Sequence, residues 1–198
     1  MVLHPTTTSK IHKDLKKEKE NMQSETYVLL HRMVCAAQTQ SEMEIVLRRF
    51  QEIIEATSNS TYGQDLFDGA WALACSAGLY SRLGEPQLAE QAYQEAIELF
   101  DTNDMTFNAS AIRLALARFL AQRGRYDDAE DTLRQSLISL VRVWGVEDHR
   151  VFSAEEELRH FQLTGEVIEA YRHGMCQACG IGDHGADFGQ EGRDKAER

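Results

Sequence analysis

The feature that most constrains the fold of this chain is a glycine–alanine pair that recurs at a nearly constant step. Each glycine is followed five residues later by an alanine, and successive pairs lie 40 and 41 residues apart. A pattern that returns at one distance indicates a structural unit that the chain uses more than once. The pairs are Gly84 with Ala89, Gly124 with Ala129, and Gly165 with Ala170.

Amphipathic helical patterns fill the chain between Glu25 and Tyr171. Apolar residues recur at i, i+4, i+7 and i+8, as they do at Ile112, Leu116, Phe119 and Leu120. No stretch alternates with a period of two for long enough to predict a strand. A glycine accommodates the left-handed turn that ends a helix, and a small residue after it lets a second helix approach closely. The sequence therefore predicts an all-α fold of helical hairpins.

These hairpins resemble the tetratricopeptide repeat, a helix–turn–helix unit of about 34 residues. The resemblance covers residues 65–171 and rests on Leu83-Gly84, Arg123-Gly124-Arg125-Tyr126 and the alanines that follow them. The longer steps resemble the kinesin-light-chain-type subclass, with repeats of about 42 residues. The segment 143–151 is similar to the linker of that subclass. A more degenerate hairpin precedes the others, so the resemblance implies an α–α superhelix of three to four helical hairpins.

The charges divide the chain into three parts. The whole chain has a net charge of −11. Residues 1–23 hold five lysines and three acids, and residues 173–198 hold three bases and five acids, so the charges of these two segments cancel. Residues 24–172 therefore carry the full net charge of −11. We predict a helical repeat domain over 24–172, a basic disordered tail over 1–23, and a glycine-rich disordered tail over 173–198. The acidic excess argues against a general nucleic-acid or membrane-surface binder, because its field repels phosphate.

The sequence predicts neither a secretory signal peptide nor a membrane span, since long apolar runs are missing. We therefore expect a cytoplasmic protein, with a nuclear address in the lysine-rich segment as the alternative. The chain has no phosphate-binding loop, no nucleophile elbow and no metalloprotease motif, which predicts a protein that is not an enzyme. The acidic run 155–157 is predicted to be a solvated helix surface.

The resemblance implies that the first helix of each repeat lines a concave groove for a peptide or a helix of a partner protein. Lysine and asparagine, which form the family's carboxylate clamp, are missing from the groove positions. The arginines there suit an acidic or phosphorylated peptide, because guanidinium groups bind such anions bidentately. The alternatives are that they pair with acids on neighbouring helices and that the tryptophan lies in the core. The predicted groove residues are Trp71, Arg82, Leu114, Arg118, Gln122, Phe152 and Arg159.

The C-terminal region nearly reproduces a zinc-binding motif. Cys176, Cys179 and His184 have the spacing of the first three ligands of a zinc knuckle, but Gly189 stands in the fourth position. A structural zinc site needs four ligands, and His173 and Asp187 are the two candidates for the last. The main prediction is a non-enzymatic adaptor without a cofactor, for which self-association through its helical ends remains open. The alternative is a zinc-binding or nucleic-acid-associated regulatory protein that uses this cluster.

Overall fold

The described part of the chain is entirely α-helical. A computed structural model of the protein describes residues 29–60 and 62–167. Within these residues there are helices and turns but no strands, which confirms the predicted all-α fold. The helices are α1 (residues 29–36), α2 (Gln40–Thr57), α3 (Gly63–Leu83), α4 (Pro86–Thr102), α5 (Thr106–Ala121), α6 (Tyr126–Trp144) and α7 (His149–Thr164).

From α2 to α7, each helix packs against the next one along the chain, as in a helical solenoid. The closest pairs are α3 with α4 and α5 with α6, which form two antiparallel hairpins. We call α3, α5 and α7 the A helices, because each opens a repeat, and α4 and α6 the B helices. This packing is consistent with the predicted tetratricopeptide-like architecture. The predicted boundaries at 24 and 172, and both predicted tails, lie outside the described residues.

Glycine in the left-handed conformation lies in the turn that follows the first helix of both hairpins. Gly84 has φ 79° and Gly124 has φ 74°. At the first turn, the backbone N–H of Glu85 donates to the carbonyl of Tyr80 at 2.9 Å. Pro86 then begins α4, at a position where its missing N–H costs nothing. The glycine turns predicted from the repeat are confirmed.

Substituting the turn glycines should destabilise the fold through backbone strain alone. Among the residues that the structure describes, no atom lies within 4 Å of a Cβ added at Gly84 or Gly124, so the cost comes from the left-handed φ. We expect Gly84→Ala and Gly124→Ala each to lower the free energy of unfolding by about 1 kcal/mol. Urea denaturation measures this. Gly63→Ala is the control, because that glycine begins α3 without a positive φ and with open space around it; an equal loss there would contradict the argument.

Small residues at the helix crossings allow the close packing that the repeat predicts. Ala89 of α4 and Ala129 of α6 are both fully buried. Larger residues fill the remaining space, and three aromatic rings meet edge to face where α3 packs against α4. Phe67, Trp71 and Phe100 have centroid separations of 5.5–6.0 Å. The α3 helix is buried on all sides over residues 69–79 and forms the centre of the described core.

Candidate functional site: the A-helix face

The A-helix face consists of the residues of α3, α5 and α7 that the sequence predicts to line a groove. The structure divides these residues by exposure. Trp71 and Leu114 are buried, at 4% and 7% exposure, and Trp71 belongs to the aromatic cluster of the core. Arg82 and Arg118 are half-buried. The exposed members are Gln122, Phe152 and Arg159.

Arg82 is bound to the backbone of a neighbouring helix. Its guanidinium donates to the carbonyl oxygens of Val34 and Ala37, at 3.1 and 2.5 Å. These carbonyls lie at the C-terminal end of α1, where backbone acceptors lack helical partners. A positive charge is also favourable at this end of the helix dipole. Arg82 therefore holds the end of α1 against α3.

Arg159 is exposed and forms a salt bridge with Glu156 on its own helix. The two side chains are 64% and 59% exposed. The hydrogen bond between them raises the pKa of Arg159 and lowers the pKa of Glu156. Such an exposed pair stabilises a protein little, so a carboxylate or phosphate of a ligand can replace Glu156 at small cost.

Glu157 is a buried acid, so the prediction of a solvated surface is wrong at this residue. The run 155–157 was predicted to be solvated, but Glu157 is only 7% exposed while its two neighbours are exposed. Burial raises the pKa of Glu157 to about 7, and the positive charge of Arg118 lowers it only in part. Within the described residues, the Oε1 atom has no hydrogen-bond partner. The helical geometry contained the signal, because residues 100° apart cannot all face the solvent on a packed helix.

A stripe of exposed residues runs along α7. Phe152, Arg159 and Leu163 are spaced at i, i+7 and i+11, which places them within about 40° of one another around the helix. Phe152 is 56% exposed and Leu163 is 76% exposed. Leu163 is not among the predicted groove residues, although the same spacing identifies it. We call these three residues the α7 stripe.

The N-terminal end of α7 is held by contacts between charged and aromatic groups. Asp148 caps the helix by accepting from the backbone N–H of Arg150 at 2.9 Å, and it also accepts two hydrogen bonds from the Arg150 guanidinium at 2.7 Å. These bonds hold the pKa of Asp148 well below its usual range. The same guanidinium lies 4.0 Å from the ring centroid of Trp144, at the end of α6. The α7 stripe is thus presented by a helix whose start is anchored to α6.

The residues predicted to bind zinc lie outside the described residues, so the zinc site stays a prediction. They are Cys176, Cys179, His184 and His173. Over 29–60 and 62–167, no cluster of three or more histidine, cysteine or acidic side chains could hold a metal ion. The helices in these two ranges also include none that is long and apolar enough to cross a membrane.

Residues 83–139 match the family model of the tetratricopeptide repeat. The matched segment runs from the last residue of α3 through most of α6, and it contains both glycine turns. This match supports a tetratricopeptide repeat protein. Comparison of the chain with curated proteins, and separately with solved structures, found no significant match.

Tetratricopeptide repeats stack into solenoids with extended binding surfaces, so the match suggests a protein–protein interaction module. The helices before and after the matched segment continue the same packing, because α3 forms a hairpin with α4 and α7 packs on α6. The A-helix face therefore spans more of the chain than the family match does.

Proposed function

We propose that the protein is a non-enzymatic interaction module that binds a segment of a partner protein on its A-helix face. The α7 stripe is the observation that carries this proposal. Its two large apolar side chains are more than half exposed and lie on one side of a single helix. Phe152 and Leu163 lie about three helical turns apart with the salt-bridged Arg159 between them, so the stripe offers apolar and charged contacts along one side of the helix.

The stripe favours a partner segment with both apolar and acidic side chains. Apolar residues would cover Phe152 and Leu163 and release the water around them. An acidic or phosphorylated side chain would take the place of Glu156 on Arg159, since a guanidinium binds such anions with paired hydrogen bonds. An amphipathic helix laid along α7 presents these groups at matching intervals.

We further propose that the repeats are of the longer, kinesin-light-chain type. The steps of 40 and 41 residues between the turn glycines support this subclass. So does the length of α6, which runs over 19 residues from Tyr126 to Trp144 before the segment that resembles the subclass linker.

Removing the apolar side chains of the stripe should abolish partner binding. We expect a Phe152→Ala/Leu163→Ala variant to capture its partners from a cell lysate at least about tenfold less than the unmodified chain, which corresponds to a loss of about 1.4 kcal/mol. Because both residues are exposed, the far-ultraviolet circular dichroism and the Tm should stay unchanged. Quantitative mass spectrometry of the captured proteins measures the effect.

The matched control removes apolar side chains that are also more than half exposed from other helices. Ile45 of α2 and Ile138 of α6 are 55% and 61% exposed. An Ile45→Ala/Ile138→Ala variant should capture the same partners as the unmodified chain. Partners that remain bound to the stripe variant, or that are lost from both variants, would overturn the assignment of binding to α7.

A further inference from the structure

A cleft lies between the two B helices, on residues that the proposed function does not use. Its volume is about 500 Å³, which is within the range of ligand-binding pockets. The walls come from α4 and α6, and the floor comes from α5, where Leu116 and Leu120 supply an apolar surface. The cleft is therefore formed where one repeat packs on the next.

The walls of the cleft are acidic. Five carboxylates line it, against two arginines, so the lining carries a net charge of −3. Arg125 joins the two walls by binding Glu90 at 2.5 Å and Asp128 at 2.6 Å. Within the described residues, the carboxylates of Glu98 on α4 and Asp131 on α6 have no salt bridge. The cleft thus keeps two unpaired negative charges, one on each wall.

A buried donor accompanies these charges. The Arg113 side chain lines the cleft, is only 9% exposed, and binds both carboxylate oxygens of Asp101. Its Nε–H has no acceptor in the part of the chain that the structure describes. A buried N–H that lacks an acceptor destabilises the folded state, so a ligand whose carbonyl oxygen accepts from it is favoured.

We propose that this cleft binds an extended, lysine- or arginine-bearing segment of a partner protein. The basic side chains of such a segment would pair with Glu98 and Asp131, and its backbone carbonyls would supply the acceptor that Arg113 lacks. A simple polycation offers the positive charge without the acceptor, so the combination of unpaired acids and an unpaired donor selects a peptide. This surface goes beyond the proposed function, because it lies on α4, α5 and α6 rather than on the α7 stripe.

The probe for this proposal is a short capped peptide of alternating lysine and alanine, labelled with a fluorophore and titrated with the full chain. We expect fluorescence anisotropy to report binding that weakens at least about tenfold in a Glu98→Gln/Asp131→Asn variant. Both substitutions keep the size of the side chain and break no salt bridge, so the Tm should hold. A polyamine of the same charge should compete at least about tenfold less well than the unlabelled peptide.

The control is a Glu95→Gln/Asp127→Asn variant. These acids lie on the same two helices, are exposed, and do not line the cleft. Peptide affinity should change less than about twofold in this variant. Equal losses in the two variants would show a general effect of net charge and overturn the site, and competition by the polyamine as strong as that of the peptide would overturn the choice of a peptide.

A third comparison tests whether the chain's own lysines occupy the cleft. If the unmodified chain binds the probe weakly and a Lys13→Gln/Lys16→Gln/Lys17→Gln variant binds it at least about tenfold more tightly, the occupant is the N-terminal segment and the partner assignment is overturned. Equal affinity of the unmodified chain and of this variant for the probe supports an external partner. The result is independent of the α7 stripe, because none of these substitutions touches it.

Discussion

Phe100→Ala is expected to lower the free energy of unfolding by about 3–5 kcal/mol, a large part of the stability of an ordinary domain. Phe100 is fully buried in α4, and its ring meets Phe67 and Trp71 of α3 edge to face. The substitution removes the apolar burial and both ring contacts, and it leaves a cavity where the first glycine-turn hairpin packs. Urea denaturation followed by circular dichroism measures the loss.

Phe152→Ala is the matched control, because it removes the same side chain from an exposed position on α7. Its effect on the free energy of unfolding should be within about 0.5 kcal/mol. A loss below about 2 kcal/mol for Phe100→Ala would contradict the description of the core, since a fully buried phenylalanine cannot be removed so cheaply from a well-packed site.

Glu157→Gln is expected to stabilise the protein at neutral and higher pH but not at acidic pH. The pKa of Glu157 rises from 4.5 to about 7 on folding. The folded state therefore holds the proton more tightly than the unfolded state, and ionised Glu157 destabilises the fold. The resulting loss of unfolding free energy is absent below pH 4.5 and grows as the pH rises towards 7. Above pH 7 it reaches about 3 kcal/mol.

The measurement is the difference in the free energy of unfolding between the variant and the unmodified chain, taken at about pH 4.5 and about pH 8. The contacts of the new amide contribute equally at both pH values. The change in the stability difference between about pH 4.5 and about pH 8 therefore reports the titration of Glu157 alone. Glu156→Gln is the control on the same helix. Arg159 lowers the pKa of Glu156, so ionised Glu156 stabilises the fold at high pH. This stabilisation is lost as the pH falls below 4.5. A pH-independent difference for Glu157→Gln would show that this acid does not titrate as a buried group.

Much of the fold could be predicted because its local signals agree with one another. Gly84 and Gly124 predicted left-handed turns, Pro86 predicted a helix start, and both turns and the helix start are found at those residues. These signals are local, since they depend on the backbone conformation of one or two residues. The buried alanines Ala89 and Ala129 follow from the same repeat, because only a small side chain fits where the paired helices cross.

The candidate site was less predictable, because it depends on which neighbour each side chain meets. Arg82, Arg118 and Arg159 look alike as positions in a repeat, yet Arg82 binds carbonyls at the end of α1 and Arg159 pairs with Glu156. Arg118 instead influences the buried Glu157 across the A helices. Nothing in the spacing of residues along one helix indicates which group another helix brings to it.

The amino-acid sequence by itself determined the helical class, the hairpin turns and the length of the repeat, because these follow from periodicity and from the conformations that glycine and proline allow. Only the tertiary structure decided that Glu157 is buried, that α7 exposes Phe152 and Leu163 together, and that α4 and α6 enclose an acidic cleft. Each of these depends on how neighbouring helices cover one another. Burial and electrostatic environment are properties of packed helices, and residues that share a surface can lie far apart in the chain.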